Sequence, residues 1–516
     1  MSVPNLIERS FGGTVGPGVV NQVAYFTAVD AVGGDTGFTF DPTNDAVTVG
    51  VARMHSTGTD NAFFGEGAGN FTLTGTDNAA FGADGLAALT TGSNNSAFGS
   101  GALDALTTGL RNCAFGVDAS GAAIVATDST AFGFNALLLN TGGDFNSAFG
   151  SGTLDANTSG VRNSAFGGGA LSAITTGTDC SAFGRAALAV NTANNNSAFG
   201  SLALDGNTTA TRNSAFGANA LGATITGGDC SAFGNNALLL NTGNNNNAFG
   251  SSALSACTTG VQNCAFGVSA LGAVTTSNNC LAFGFNALIA NTASENNAFG
   301  TRTLDANTSG ARNNAFGLDA LGAITTGVDC SAFGNNALLL NTGSDNNAFG
   351  SGALDALTTG PRNSAFGTNA LGAATTGADS VGVGRSAGLA LTTGGTCTFL
   401  GATADTSLAT AANSTAIGFG ASVDASNTMV FGNASVVLIR PGSDGACDLG
   451  STSFKFADGW FEQVRITADN GAIFTNQTDG AGVAAGTLLT APSAGDPAIW
   501  LRVQINGANR FIPAWA

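Results

Sequence analysis

The stretch Asn95-Ser96-Ala97-Phe98-Gly99-Ser100-Gly101-Ala102-Leu103-Asp104-Ala105-Leu106-Thr107-Thr108-Gly109-Leu110-Arg111 decides the fold, because the chain repeats it. Two short apolar segments, Ala97-Phe98 and Ala102-Leu103, are separated by glycine and small residues. Thr107-Thr108-Gly109 ends at a tight turn, where glycine accepts a positive φ without side-chain cost. The phenylalanine of the Ala-Phe-Gly signature recurs at 64, 81, 98, 115, 132, 149, 166, 183, 199, 216, 233, 249, 266, 283, 299, 316, 333, 349 and 366. Two degenerate copies are expected at Val383 and Phe399. The step is 17 residues up to Phe183, and from there every third step is 16, giving a superrepeat of 50 residues. A fixed short period of this kind signals a solenoid.

Glycine and β-branched residues recur inside every helical window, so short strands joined by turns are expected. Stacked coils then pair through their backbones at roughly 4.8 Å, which makes the run from Phe64 to Phe399 a rod of about 100 Å. Asparagine stands three residues before most signature phenylalanines, at Asn95, Asn112, Asn163 and Asn213 among others. A turn ladder of these side chains would bond both backbone and neighbour. The expected core repeats are Phe98, Leu103, Phe115, Phe149, Phe166, Phe183, Phe216, Phe266, Phe316 and Phe366.

Adjacent strand residues face opposite sides. A thin coil has room for one narrow core, so one member of each Ala-Phe pair must face a second dry surface running along the whole rod. A soluble monomer does not normally expose so large an apolar strip, and self-association about the long axis would remove it.

Composition narrows the function. The 516 residues include 77 glycines and only 9% charged residues, with one lysine, Lys455, and one histidine, His55. Acid–base catalysis draws on scarce residue types here, and no nucleophilic triad, phosphate loop or dinucleotide fingerprint is present. The formal charge of -18 opposes nucleic-acid binding, which needs clustered Lys and Arg. With 43% hydrophobic residues and 36 phenylalanines the chain is not a disordered one. No apolar run is long enough to cross a bilayer, and the segment Met1 to Ser10 does not read as a secretion leader. No enzyme activity, cofactor, metal or membrane insertion is expected.

Cys180, Cys230, Cys280 and Cys330 replace the ladder asparagine at intervals of 50 residues. They stand three coils apart, about 14 Å, which excludes bridges between neighbours in one chain. They are expected as buried small side chains, with bridges between chains left open. Asp104, Asp155, Asp205, Asp305 and Asp355 recur in register, as do Arg111, Arg162, Arg212, Arg312 and Arg362 seven residues later. The two sets are expected to form a surface ion-pair track along the rod or between chains. Asp179, Asp229, Asp329 and Asp379 offer too few carboxylates per three coils for calcium.

The pattern Asn/Ser-x-Ala-Phe-Gly resembles the Ser-x-Ala-Ile-Gly pattern in the head repeats of trimeric autotransporter adhesins, over roughly 60–435. The nearest local match is Ser414-Thr415-Ala416-Ile417-Gly418, followed by Asn427-Thr428-Met429-Val430-Phe431-Gly432. That resemblance implies a parallel homotrimer of single-chain β-rolls. The flanks resemble phage tail fibres and related virion fibres. The residues are Asn21 to Phe26 leading into Phe38-Thr39-Phe40-Asp41, Asp448 to Phe461, and Gly486 to Pro492 with Val503 to Pro513.

Together these readings give an all-β chain with an elongated homotrimeric β-solenoid (β-roll) shaft of 16–17-residue coils. Residues 1–58 form an N-terminal attachment and β region, 59–436 the shaft, and 437–516 a C-terminal β cap or receptor-binding tip. The expected role is a structural virion fibre of a bacteriophage tail or capsid, held by a virion protein at its N-terminus. The alternative is a bacterial surface adhesin or extracellular filament subunit. Trp460, Trp500 and Trp515 are the only tryptophans, and with Arg502 and Arg510 they are the expected tip residues for a host glycan or protein.

Overall fold

The computed structural model describes residues 60–70, 72–223 and 226–435 in full, and the backbone of 38–41, 46–49, 52–55, 500–505 and 508–513. Every regular element among these is a strand, and the chain is all-β. It divides into two units, Met1–Val437 and Leu438–Ala516.

The first unit carries a 26-stranded sheet. It opens with an antiparallel meander of β1 (Phe38–Asp41), β2 (Ala46–Val49) and β3 (Ala52–His55). Strand β3 then pairs antiparallel with β4 (Ala62–Phe64), the first strand of the solenoid, matching His55 with Phe63. The meander therefore covers the free edge of the first coil, the place where an exposed parallel sheet would recruit another chain.

From β4 onward the strands are parallel and mostly three residues long. Ser96–Phe98 lies between Ala79–Phe81 and Cys113–Phe115 with like residues opposite one another. The 16-residue coils keep this register, pairing Ser181 with Ser197 and Phe183 with Phe199. The missing residue is absorbed in a turn. At the C-terminal end the register moves one expected repeat. Gly382 pairs with Phe399 and Val383 with Leu400. Leu400, not Phe399, stands in the signature phenylalanine position, and Phe399 takes the alanine position, fully buried.

The signature glycine is required by the approach of neighbouring coils. Gly99 has φ 140°, and a Cβ there would collide with the carbonyl of Gly116 in the next coil. The core leucine is unusual in another way. Leu103 is left-handed, at φ 51°, as are its counterparts from Leu86 to Leu371. That backbone costs roughly 1–2 kcal/mol for an L-residue. Complete burial of the side chain offsets it, at roughly 1.5–3 kcal/mol.

The core is built of Ala97, Ala102, Leu103 and Leu106, all inaccessible to solvent, and of most of their described equivalents. Leu103 thus lies in the core as expected. Phe98, Phe115, Phe149, Phe166, Phe183, Phe216, Phe266, Phe316 and Phe366 do not, and the expectation of a phenylalanine-filled coil is corrected. In each three-residue strand only the central alanine points inward. The interior is too narrow for a ring beside the leucine, so alternation sends the phenylalanine outward. The two inward phenylalanines support this. Where Phe63 and Phe399 occupy the alanine position, glycine replaces a core leucine nearby. A Cβ on Gly69 would lie 2.5 Å from the Phe63 ring, and one on Gly388 would lie 2.6 Å from the Phe399 ring.

Candidate functional site

The outward phenylalanines form one unbroken column from Phe64 to Phe366. From Phe149 to Phe366 neighbouring rings are nearly parallel, with centroids 4.4 to 5.0 Å apart. This spacing is that of the strands that carry them, so the sheet itself sets the stack. Stacking covers the ring faces and leaves the ring edges open. Phe115 remains 46% exposed and Phe366 43%, while Phe98, Phe149, Phe166, Phe183, Phe216 and Phe266 are half-buried. The strand residue two places earlier, usually Ser or Asn, lies on the same outward face. Among the described residues, no core side chain covers this surface.

On the inward side runs a ladder of asparagines. Asn95, Asn112, Asn163 and Asn213 are all buried. Asn112 donates its backbone N–H to Oδ1 of Asn95 at 2.9 Å and its Nδ2–H to the carbonyl of Ala126 at 2.6 Å. Asn213 likewise donates Nδ2–H to the Gly227 carbonyl and accepts the backbone N–H of Cys230, both at 2.9 Å. Each buried amide therefore satisfies a turn carbonyl and the coil beyond it.

Cys180, Cys230, Cys280 and Cys330 stand in this ladder as buried free thiols. Burial pushes their pKa values up, to about 11 for Cys330. Each immediately precedes a 16-residue coil. There a second asparagine, not singled out in the sequence, carries the ladder forward. Asn191 donates to the Cys180 sulfur and accepts Nδ2–H bonds from Asn196 at 3.1 Å and Asn207 at 2.7 Å. Asn291 repeats the whole relay, accepting from Asn296 and Asn307, while Asn241 and Asn341 keep the bonds to their cysteine and to Asn246 and Asn346. The cysteines thus accompany the shortened coils, and the folded turns show the asparagine that bonds each sulfur there.

The ion pairs run between coils. Arg111 binds Asp128 bidentately, Arg162 binds Asp179, Arg212 binds Asp229, Arg312 binds Asp329 and Arg362 binds Asp379. The expected partners seven residues earlier are not used. Asp104, Asp155, Asp205, Asp305 and Asp355 sit in part-buried turns, and burial raises their pKa values against the opposing pull of backbone N–H groups. In the copy that lacks arginine, Gln262 stands in its column and Asn279 in that of aspartate. Both charges are absent together, as paired positions require.

Trp500 and Arg502 lie in the strand Trp500–Ile505, and Arg510 lies in Ala508–Pro513, which pair antiparallel as a hairpin. Trp460 and Trp515 fall outside the described residues. Of the expected attachment and β region 1–58, only the backbone of 38–41, 46–49 and 52–55 is described. Among the described residues no group of three or more His, Cys, Asp or Glu side chains could hold a metal ion. Nor is any helix among them long and apolar enough to cross a membrane. Comparison with known protein families and with curated proteins finds no match.

Proposed function

We propose that the chain is the subunit of a structural virion fibre, a bacteriophage tail or capsid fibre. In this reading the solenoid is a parallel homotrimeric shaft. The N-terminal region holds a virion protein, and the C-terminal region meets a host-surface glycan or protein. The supporting observation is the phenylalanine column. A strip of ring edges this long is unfavourable in water, and three copies packed about a common axis would remove it from solvent. A trimer would also multiply weak tip contacts by raising their effective concentration. The work of such a shaft is reach and rigidity, with no catalysis and no cofactor.

The mass of the chain in solution tests the association, and negative-stain images of purified particles test the location. A stable monomer would refute the shaft, and absence of the chain from intact virions would refute the virion assignment. The second reading, a bacterial surface adhesin or extracellular filament subunit, draws on the strand Thr415–Ile417, whose buried Ala416 and outward Ile417 follow the adhesin-like pattern. Recovery of the chain in a cell-surface fraction, without particles, would favour it.

A further inference from the structure

A strictly periodic ladder has no preferred alignment. Two copies that meet on the phenylalanine column could slip by three coils, one superrepeat, and still oppose ring to ring. The column just beside the ladder, two residues further along the chain, breaks this degeneracy. It is mostly small or polar, as at Ser100, Ser151, Ala218, Asn235, Ser251 and Asn335. On two pairs of consecutive coils it is large and apolar. Val117 is 47% exposed beside Phe134 at 55%, and Val268 is 47% exposed beside Phe285 at 52%. Leu318, by contrast, is followed on the next coil by Asn335.

The ladder is looser over its first coils, with Phe64–Phe81 at 5.8 Å and 25°, and the first mark lies in that stretch. The Phe98–Phe115 pair opens to 5.5 Å with a 24° tilt and Phe132–Phe149 to 6.0 Å, while Phe115–Phe132 remains at 4.7 Å. Phe115 and Phe132 thus stack on each other more closely than on their outer neighbours.

We propose that the pairs Val117/Phe134 and Val268/Phe285 are register marks that hold second copies of this chain at zero offset. The inference rests on the self-association reading above. At zero offset each mark meets its own counterpart, and the large apolar side chains are buried against one another. A three-coil slip sets Val117 and Phe134 against Gly168 and Arg185. The strongest competitor is a nine-coil slip. It brings the first mark onto the second and Val268 onto Phe419, but it leaves the rings of nine coils at each end uncovered.

The chain carries its own reporters for this competitor. Cys113 and Cys264 lie on the outward face of the strands Cys113–Phe115 and Cys264–Phe266, nine strands apart. They are the cysteines among the described residues that are not buried. A link between two Cys113 residues can only join two chains. A Cys113–Cys264 link reports the nine-coil slip, because within one chain the two lie about 43 Å apart at β spacing. Adding Ser164→Cys reports the three-coil slip through links from Cys113 to position 164, counted only where they join an isotope-labelled chain to an unlabelled one, since within one chain the two positions lie about 14 Å apart.

The experiment treats the full chain with a short bis-maleimide and maps linked peptides by mass spectrometry. The wild type is expected to give Cys113–Cys113 and Cys264–Cys264 links at least about tenfold over offset links, a preference equivalent to about 1.4 kcal/mol. The variant V117A/F134N/V268A/F285N places residues already used at 218 and 235 in the same column. It should keep its mass and circular dichroism and lose that preference. Cys113–Cys264 links should then appear, or, with Ser164→Cys added, links between Cys113 and position 164. An associated variant with the wild-type link map, or mixed links in the wild type, would overturn the marks and leave the association standing. A monomeric wild type without links between chains would overturn the association itself.

Discussion

Gly388 leaves open the space that the ring of Phe399 fills. A Cβ at Gly388 would lie 2.6 Å from the Phe399 Cδ2 atom. Other coils use the opposite pair, a small inward strand residue with a large leucine in the glycine's place. Phe399→Ala alone should cost about 3–5 kcal/mol through the cavity it leaves. Gly388→Leu alone should also destabilise, by overpacking against the ring and against Leu371, whose Cδ2 lies equally close. The two together should lose clearly less than the sum of the singles, because the double variant restores the pair used along the shaft. Denaturant melts of the four chains close this cycle.

Asn213 joins two coils through both ends of its amide. Asn213→Ala leaves the buried Gly227 carbonyl and Cys230 N–H without partners, at about 1–3 kcal/mol for each group left unsatisfied. Urea titration should show that loss. Asn235→Ala, at an exposed polar position, should shift the midpoint little. Equal shifts in the two variants would contradict the ladder's role.

Phe216 and Leu221 separate the outer face from the inner core. Leu221→Ala should cost about 2–5 kcal/mol whatever the chain concentration, since the side chain is buried within its own coil. Phe216→Ala loses its stacking on Phe199 and Phe233, about 0.5–1.5 kcal/mol for each ring pair. Its larger effect should fall on association, read as a lower assembled fraction by sedimentation with the β signal retained. A stability loss in Phe216→Ala with unchanged assembly would contradict the outward surface as the site of self-association.

Two sets of aspartates give stability opposite slopes with pH. Asp155, Asp205, Asp305 and Asp355 have folded pKa values raised above 3.8 by burial, so the folded chain binds their protons more tightly. Their contribution grows as pH falls through those raised values. Asp179, Asp229, Asp329 and Asp379 are lowered, first by the arginine hydrogen bond, so their contribution is lost as pH falls below 3.8 through the depressed values. The melting temperature should therefore rise on mild acidification and fall in stronger acid. Combined replacement of Asp155, Asp205, Asp305 and Asp355 by Asn should flatten the rise and spare the fall.

The period, the strand class and the asparagine ladder were readable in the sequence because they repeat at one spacing. Alternation also required that alanine and phenylalanine part company. Which of them turned inward was not readable, because it depends on the width of the coil and on a leucine held in a conformation that leucine ordinarily avoids. Phe399 was misplaced for a related reason. Matching residue types put it with the other phenylalanines, whereas backbone pairing gives that place to Leu400. The arginines were matched to carboxylates seven residues away, though in a solenoid the nearest neighbour of a surface side chain is one full period along. The tryptophans differ again, since a segment that does not repeat offers no periodicity to read.

The parallel pairing of successive coils also fixes how the shaft bears load. Its strands lie across the long axis, so a pull along that axis meets the interstrand hydrogen bonds end-on and opens them a few at a time. The terminal coil peels first, and each coil released lengthens the chain by about 50–55 Å, its extended backbone less the rise it already spans. Under tension the shaft is a tape that pays out in equal increments, stiff until the force reaches the strength of one coil-to-coil contact and extensible at nearly constant force after that.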